Sequence, residues 1–465
     1  MKKLTSLITK KTYSVCPICL ERIPAQLLFQ NGCWYMEKLC VQHGKYRTVV
    51  WRGTAPSLTG WGNYIPPKES EADLPHCTDD CGLCSKHLQS TCCVLVEVTA
   101  RCNLRCPICF AQSGEELPGV ECEKDGYKPE KSVETLFEDF NYLVKNGCKF
   151  IQLSGGEPTV RDDLPEIVSA AKRAGATSVQ LNSNGLRLGK EPEFTKRLVE
   201  AGLDFVFMQF DGLDDEIYRV LRGRPLLEEK LEAIKICGEN GIGVTLVPTV
   251  VPKVNDHQIG TILNFGMKNS PVVRGVHFQS ISYFGRYPEP PKDENRITLP
   301  EIVAAIEQQT EGLIQQTDLS PSSCDHPRCG FHGDFVIMPD NLISLTPKSS
   351  DTASSDCCCN QSEEISPDHK SKEEALRNRS FVARRWKRNL SLENEAANYT
   401  GTSDTDDLMD FDSFLARVAA NGFTVTAMAF QDAYNLDLER LRRCSLHVYE
   451  EGRVVPFCAK YLTSI

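Results

Sequence analysis

Short β-branched runs alternate with amphipathic helical stretches over residues 94–279 of this 465-residue chain. The pattern predicts strands within 94–98, 150–153, 178–181, 205–208, 244–247 and 276–279. It predicts helices over 133–145, 163–173, 192–201, 226–240 and 257–267. Strict alternation implies parallel strands joined by crossover helices. We therefore expect an α/β fold: a partial (β/α)6 barrel with cysteine-rich N-terminal and C-terminal extensions, and an active site at the carboxyl ends of the strands.

A chemically distinctive loop follows each of the first four predicted strands. Cys102, Cys106 and Cys109 follow the first strand, and Ser-Gly-Gly-Glu-Pro, residues 154–158, follows the second. Asn-Ser-Asn-Gly, residues 182–185, follows the third strand, and Gln-Phe-Asp-Gly, residues 209–212, follows the fourth. Because the carboxyl ends of parallel strands meet at one edge, these four loops should form one site.

The cysteines of the first loop have the spacing C-x3-C-x2-C. Three thiolates on one tight loop can bind three irons of a [4Fe–4S] cluster and leave the fourth iron open to a small-molecule chelator. The competing reading is a set of buried, inert cysteines or a zinc knuckle. Asn103 and Pro107 lie between the cysteines and indicate an exposed loop, which favours the cluster.

This triplet, with a Gly-Gly-Glu loop one strand later, resembles the signature of the radical S-adenosylmethionine (SAM) superfamily. The resemblance implies that SAM chelates the open iron and is reductively cleaved to methionine and a 5'-deoxyadenosyl radical, with electrons from a reduced flavodoxin- or ferredoxin-type donor. Glycines let a backbone approach a ligand closely, and a carboxylate can bind a cationic amino group. The SAM contacts are then expected at Gly155, Gly156, Glu157, Asn182, Asn184, Gln209 and Asp211.

The last four of these residues could equally belong to ordinary turns at strand ends. Ile108 stands where the superfamily often has an aromatic residue against the adenine, and Phe110 follows Cys109.

The chain contains 22 cysteines, and in the absence of an export signal their short spacings favour metal ligation over disulfides. Cys77, Cys81 and Cys84 repeat the spacing C-x3-C-x2-C ahead of the first predicted strand. We expect an auxiliary [4Fe–4S] cluster there. Its fourth ligand is unassigned, and Cys92 and Cys93 are nearby options.

Two short knuckles near the amino end have the spacing of a single-ion site. Cys16 and Cys19 form a C-x2-C pair, and Cys40 and His43 form a C-x2-H pair about twenty residues later. Two such knuckles complete a tetrahedral site for zinc or one iron. Cys33 is a competing ligand.

The carboxyl-terminal third contains further cysteines. Cys324 and Cys329 could supply another metal centre with Cys444 or Cys458, and the run 357–359 is either part of such a centre or a set of disordered thiols. The remaining cysteines near predicted elements are expected to be core residues or surface thiols, namely Cys122, Cys148 and Cys237.

Four regions are predicted: a rubredoxin- or zinc-ribbon-like knuckle region at 1–60, an auxiliary cluster region at 61–91, the barrel at 92–320, and an extension at 321–465 with a polar linker at about 346–372. A net charge of −11 argues against nucleic-acid binding. No apolar run reaches the roughly 20 residues of a membrane span, and the chain start lacks a signal-peptide pattern, so we expect a cytoplasmic protein. The basic stretch 377–388 could touch a membrane surface or be a solvated face.

The order of a C-P-x-C knuckle, a C-x-x-H-G element, a first cysteine triplet and a second triplet resembles the tetraether lipid synthase group, also described as methyltransferases of 7,8-dihydro-6-hydroxymethylpterin. The resemblance implies activation of an unactivated C–H bond for carbon–carbon bond formation or methylation of a lipid or pterin-type substrate. The alternatives are a peptide-modifying radical SAM maturase with auxiliary clusters and a non-catalytic iron–sulfur or zinc protein. An apolar channel at the barrel mouth would favour a lipid, and an open polar cleft would favour a peptide.

Overall fold

The structure is a computed structural model that describes residues 7–53, 61, 87–113, 130–322, 324–346, 385–393 and 411–462. Several residues named above lie outside this part of the chain: Cys77, Cys81, Cys84, Cys122, the run 357–359, and the predicted polar linker apart from residue 346.

The amino-terminal region is a four-stranded antiparallel sheet. Its strands pair in chain order, β1 (Leu7–Val15), β2 (Arg22–Gln30), β3 (Cys33–Cys40) and β4 (Gly44–Arg52). Burial alternates along β2 and β3, as expected for a sheet with one face against a core. The β1–β2 and β3–β4 turns lie at the same end of the sheet, because Val15 pairs with Arg22 and Cys40 pairs with Gly44.

The predicted α/β fold is confirmed. Six parallel strands lie side by side in chain order. The two-residue β10 (Thr249–Val250) comes between the fifth and the sixth of them in the sequence and pairs with the sixth. They are β5 (Cys93–Thr99), β6 (Phe150–Gly155), β7 (Ser178–Ser183), β8 (Phe205–Gln209), β9 (Gly243–Val247) and β11 (Val273–Ser280).

Helices cover the outer face of these strands. The five predicted helices are confirmed to within two residues as α1 (Val133–Lys145), α2 (Leu164–Arg173), α4 (Pro192–Glu200), α6 (Leu227–Glu239) and α7 (Ile259–Lys268). Three further helices are α3 (Leu186–Lys190), α5 (Asp215–Arg222) and α8 (Leu299–Gln309). Helix α1 begins at Ser132, whose side chain accepts a hydrogen bond from the Thr135 amide.

The carboxyl-terminal extension enlarges the same sheet. Two of its strands are parallel to the barrel strands, β15 (Gly422–Met428) beside β11 and β16 (Leu446–Glu450) beside β5. The others are antiparallel, β12 (Ser320–Pro321), β13 (Gly330–Ile337), β14 (Leu342–Ser344) and β17 (Arg453–Pro456). Its helices are α9 (Phe411–Ala420), α10 (Leu438–Leu441) and α11 (Phe457–Lys460).

The two faces of the parallel sheet differ in character. Outward-facing residues such as Val244, Leu246 and Phe278 are fully buried under the helices. Several inward-facing side chains stay half-buried and are mostly polar, namely Gln152, Asn182, Phe207, Gln209, His277, Gln279 and Thr426. The inner face of the sheet therefore borders a space lined mainly by amide, imidazole and hydroxyl groups, which is here called the lumen.

Trp386 closes the amino-terminal end of the lumen. Its ring centroid lies 5.6 Å from that of Phe205 and 4.7 Å from that of Phe207, and its indole Nε1 donates to Thr424 Oγ1 at 2.8 Å. Arg385 pairs with Asp334 at 2.5 Å. This corrects the membrane reading of residues 385–388, because Trp386 is 7% exposed and belongs to the core.

Within the described part of the chain, no helix combines the length and the apolar character that crossing a membrane requires.

Candidate functional site

The loop after β5 carries Cys102, Cys106 and Cys109 and is here called the cluster loop (residues 100–110). The Cys109 amide donates to the Arg286 carbonyl at 2.9 Å, and the Arg286 amide donates to the Cys109 carbonyl at 2.8 Å. The Arg286 guanidinium also donates to the Cys106 carbonyl at 2.7 Å. Gly285, at φ +68°, allows this approach because a Cβ there would lie 2.4 Å from the Cys109 carbonyl oxygen. The segment after β11 thus fixes the cluster loop.

The three thiols of the loop are half-buried. Burial raises the pKa of Cys102 to about 12, and the charges of Glu157, Cys106 and Cys109 add to the shift. Burial also raises the pKa of Cys106, with Cys109 adding to the shift against the opposing charge of Arg222. These thiols would become thiolates only beside strong positive charge, which the irons of a cluster supply. The donor set therefore fits a cluster.

The glycines after β6 admit the cluster loop. The Gly156 amide donates to the Thr99 carbonyl and the Glu157 amide to the Arg101 carbonyl, both at 2.9 Å. A Cβ on Gly155, at φ +129°, would lie 2.1 Å from the Thr99 oxygen, and one on Gly156 would lie 2.1 Å from the Arg101 oxygen. The backbone of residues 99–101 thus approaches both glycines closely, and the predicted SAM contacts of Gly155 and Gly156 stay a prediction.

The Glu157 carboxylate joins the second motif to the third. It is 2% exposed and accepts hydrogen bonds from the Ser183 hydroxyl at 2.7 Å and the Asn184 amide at 2.6 Å. Thr159 donates to it from its hydroxyl at 2.6 Å. These donors fix the carboxylate beside the cluster loop, because the Glu157 amide also donates to the Arg101 carbonyl.

Asn184, Lys230 and Gln209 form a polar connection from the cluster loop to the fourth motif. The Asn184 side-chain amide donates to Asn103 Oδ1 at 2.6 Å. Lys230 Nζ donates to the Asn184 carbonyl and, at 2.7 Å, to Gln209 Oε1. Three sequence-predicted positions, the cluster loop, Asn184 and Gln209, are thereby linked through one lysine.

The connection returns to the cluster loop through Asp211 and Arg222. The Gln209 amide donates to the Asp211 carboxylate, which Arg222 binds with two nitrogens at 2.7 and 2.8 Å. Arg222 also donates to the Ile108 carbonyl at 3.4 Å. The closed series is here called the polar ring and consists of Asn103, Asn184, Lys230, Gln209, Asp211, Arg222 and Ile108. Asp211 is fully buried, so in this structure it acts through Arg222, and its predicted SAM contact stays a prediction.

No sequence motif identifies Lys230 as a residue of the site. It is fully buried, and burial lowers its pKa to about 8 against the opposing charge of Asp211. The available signal was its place on α6, three, four and seven residues before the buried Ala233, Ile234 and Cys237. A lysine on the apolar stripe of a helix needs polar partners inside the fold.

The remaining predicted positions near the site have simple surroundings. Asn182 lies on the inner face of β7, where Gln180 donates to its Oδ1 at 2.5 Å. Ile108 packs with the cluster that contains Ile217, Leu221 and Val251. Phe110 packs on Phe457 and Tyr461, with ring centroids 5.7 and 5.0 Å away.

The predicted amino-terminal ligands come together. The ligand atoms of Cys16, Cys19, Cys40 and His43 all lie within 4.8 Å of one another, since both knuckles lie at the same end of the sheet. His43 Nδ1 is 3.6 Å from the Cys16 sulfur and 3.5 Å from the Cys40 sulfur. Cys33 begins β3 at the opposite end from Cys40 and does not join this group.

The carboxyl-terminal cysteines gather near the edge where β16 meets β5. The Cys92 and Cys324 thiols are hydrogen-bonded to each other, and Ser445 donates to Cys324 at 3.7 Å. Burial raises the pKa of Cys444 well above its usual value, with the charge of Cys458 adding to the shift. Arg440 donates to the Cys329 sulfur at 3.5 Å. This group is here called the edge cysteines and consists of Cys92, Cys324, Cys329, Cys444 and Cys458.

Known proteins match the chain over two regions and over nearly its full length. Residues 96–266 match the family model of the radical SAM superfamily, and residues 8–52 match that of the HMPTM N-terminal zinc ribbon domain. The 7,8-dihydro-6-hydroxymethylpterin dimethyltransferase of Methanocaldococcus jannaschii is 34% identical over 97% of this chain and 92% of its own length. The chain belongs to the radical SAM superfamily.

Other radical SAM relatives share a smaller part of the chain. The GTP 3',8-cyclase of Tolumonas auensis is 33% identical over 38% of this chain and 50% of its own. The crystal structure of Streptococcus suis SuiB bound to S-adenosylmethionine is 14% identical and aligns over 48% of this chain and 47% of its own with a TM-score of 0.37.

Membership in the superfamily makes this protein a radical SAM enzyme, and the non-catalytic alternative is therefore wrong. It also implies a [4Fe–4S] cluster with SAM.

Proposed function

We propose that this radical SAM enzyme holds its cluster on Cys102, Cys106 and Cys109 and methylates, or forms a carbon–carbon bond on, a pterin-type substrate. The structure of the cluster loop is the main support for assigning the cluster to these three cysteines. Its three half-buried thiols follow β5 on a loop whose Arg101 carbonyl accepts from the Glu157 amide and whose Asn103 and Ile108 belong to the polar ring.

When bound, a reduced cluster with SAM supplies a 5'-deoxyadenosyl radical that takes hydrogen from an unactivated C–H bond. The protein positions the loop and controls its surroundings. Arg286 fixes the Cys106 and Cys109 backbone, and the amides of Gly156 and Glu157 fix residues 99–101. Trp386 closes the amino-terminal end of the lumen. This limits entry of water to the opposite end, where the loops after the strands lie.

The polar lumen supports a heterocyclic substrate over a lipid. Inward-facing residues of β6, β7, β8 and β11 present the amides of Gln152, Asn182, Gln209 and Gln279. Some of these amides also contact one another or other protein groups, but a pterin can still hydrogen-bond along its edges to such a wall, whereas an acyl chain cannot. The relative of nearly full-length similarity is itself described as acting on a pterin. The peptide-modifying alternative stays a prediction.

Further metal centres are part of the proposal. Cys16, Cys19, Cys40 and His43 would hold zinc or one iron, because their atoms have the spacing of a single-ion site. Cys324 and Cys329 would supply another metal centre with Cys444 or Cys458, and the auxiliary cluster predicted on Cys77, Cys81 and Cys84 stays a prediction. The four predicted regions are kept, with the qualification that strands after residue 320 complete the barrel sheet.

Substrate-dependent SAM cleavage tests the proposal. The full chain, reconstituted with iron and sulfide under anaerobic conditions and reduced with dithionite, is expected to form 5'-deoxyadenosine. Formation should rise on addition of 6-hydroxymethyl-7,8-dihydropterin, and deuterium placed on the pterin should be recovered in the 5'-deoxyadenosine. No cleavage by the reconstituted enzyme would contradict the cluster assignment. Cleavage stimulated by phospholipid vesicles and not by the pterin would contradict the substrate assignment alone.

A further inference from the structure

Two histidines flank one threonine on the inner face of three adjacent strands. In the sheet, His277 of β11 pairs with Thr426 of β15, and Thr426 pairs with His332 of β13. Directly paired residues on neighbouring strands project to the same face. His277, Thr426 and His332 therefore form one row across the lumen wall, and all three side chains are half-buried.

The side chains of His277 and Thr426 hold each other in place, and both histidines of the row are uncharged. His277 Nδ1 and Thr426 Oγ1 are 2.8 Å apart, and the His277 ring centroid lies 5.2 Å from that of Phe207. Burial lowers the pKa of His277 to about 4 and also lowers that of His332. Each neutral imidazole offers one donor and one acceptor, and Thr426 with Phe207 sets the orientation of the His277 ring.

The spacing of the two imidazoles suits one flat ligand. Neighbouring strands lie about 4.8 Å apart, so residues two strands apart are separated by roughly 10 Å. That distance is too long for two ligands of a single metal ion, which bind at about 2 Å each. It matches groups that contact opposite ends of one bicyclic ring system. One row nearer the carboxyl ends of the strands, Gln279 pairs with Met428 and adds an amide and a thioether at the same wall.

We propose that His277 and His332, with Thr426 between them, form a subsite that binds the hydrogen-bonding edges of a neutral, planar nitrogen heterocycle. This rests on the proposed function, because the heterocycle is the pterin-type substrate. The row supplies donors and acceptors without a net charge, and Phe207 supplies an aromatic surface beside His277. Such a wall selects for a heterocycle and against both an acyl chain and an anionic ligand.

Equilibrium dialysis of 6-hydroxymethyl-7,8-dihydropterin against the anaerobically reconstituted full chain tests the subsite. His277→Phe and His332→Phe keep a ring and remove the donor and acceptor. Each is expected to weaken pterin binding by about tenfold or more, as expected for one lost buried hydrogen bond. His257→Phe is the matched control, because His257 is exposed and lies on the 3₁₀ turn before α7. It should bind the pterin as the wild type does.

His277→Gln restores a donor and an acceptor and should recover part of the affinity, which a purely structural role of the ring would not produce. Iron content and thermal unfolding check that each variant is folded. Wild-type affinity in folded His277→Phe and His332→Phe would overturn the subsite and leave the proposed function standing. An absence of pterin binding by the wild type would overturn both.

Discussion

The two best-defined cysteine groups of this enzyme are built in different ways. The amino-terminal group is local: two turns of one antiparallel sheet bring four ligand atoms within 4.8 Å of one another. The cluster loop is held from a distance, by partners 81, 114 and 180 residues away in the chain. A single ion needs ligands that already converge. A cluster brings its own inorganic core, so the protein fixes the loop and its polar surroundings instead.

The pKa values of the thiols also differ between the amino-terminal group and the cluster loop. Burial favours the neutral thiol of Cys16, but the amides of Cys19 and Ile18 outweigh it and lower its pKa. In Cys40, burial is likewise outweighed by the amides of Gln42 and His43. Cys19 is the exception in this group: a backbone hydrogen bond at Glu21 lowers its pKa, but burial and the Cys16 and Cys40 thiols outweigh it and raise the pKa. In the cluster loop, burial dominates and raises the pKa of both Cys102 and Cys106.

Removing one cluster-loop thiol should cause the largest loss of SAM cleavage. Cys106→Ser is expected to lower 5'-deoxyadenosine formation by at least about a thousandfold, or about 4 kcal/mol of barrier, because an iron would lose its thiolate. The measurement is chromatography of the nucleoside after anaerobic reduction with SAM. Cys33→Ser is the matched control and should keep wild-type activity, since Cys33 lies outside both groups. Full activity in Cys106→Ser would contradict the ligand assignment.

The polar ring should matter less than the thiols themselves. Lys230→Met removes the donor to the Asn184 carbonyl and Gln209 and leaves buried acceptors without a partner, at about 1–3 kcal/mol. We expect SAM cleavage to fall by roughly 10- to 100-fold and the electron paramagnetic resonance change on adding SAM to weaken, while iron content is kept. Lys235→Met, on the exposed side of the same helix, is the control. Equal effects of the two substitutions would show that the ring has no special role.

Breaking the amino-terminal site should affect stability more than chemistry. In Cys40→Ser, or after chelation, the sheet of β1 to β4 loses a metal that in comparable small domains contributes about 10–16 kcal/mol to folding. Hydrogen exchange should become fast across residues 7–53, with protection kept in β6 to β9. SAM cleavage should fall less than in Lys230→Met. Loss of barrel protection together with that of the sheet would mean that the two regions fold as one unit.

Changing the pH should give the smallest of these effects and should separate metal uptake at the two cysteine groups. Protons compete with metals for thiolates, so a raised pKa moves metal uptake to higher pH and a lowered pKa moves it to lower pH. Zinc uptake by the apo protein at Cys16 and Cys40 should therefore persist to lower pH than cluster assembly on Cys102 and Cys106. Zinc titrations and iron–sulfide absorbance between pH 6 and 9 measure both. The opposite order would contradict the inferred electrostatics.

Much of this architecture could be predicted because its signals are local. The alternation of β-branched and amphipathic segments predicted six parallel strands and five helices, and helix α1 begins and ends where its pattern does. The amino-terminal ligand set was also predictable, since two knuckles of fixed spacing need only one hairpin-rich sheet to meet.

The rest depends on contacts between distant parts of the chain. Glycine spacing predicted a close approach after β6 but not that residues 99–101 make it. Lys230 carries no motif, and its role appears only once α6 is packed against the strand ends. The pairing of β16 with β5 joins segments that no periodicity connects.

The pairing of β16 with β5 can form only late in the synthesis of the protein. Tyr461 donates a hydrogen bond to Glu97, 364 residues earlier, and β16 lies along the edge of β5 beside the edge cysteines. At about 5–20 residues per second, the ribosome needs tens of seconds to add the intervening segment. Until then β5 has an exposed edge, so the surroundings of Cys92 and Cys324 at that edge are complete only after β16 has been made.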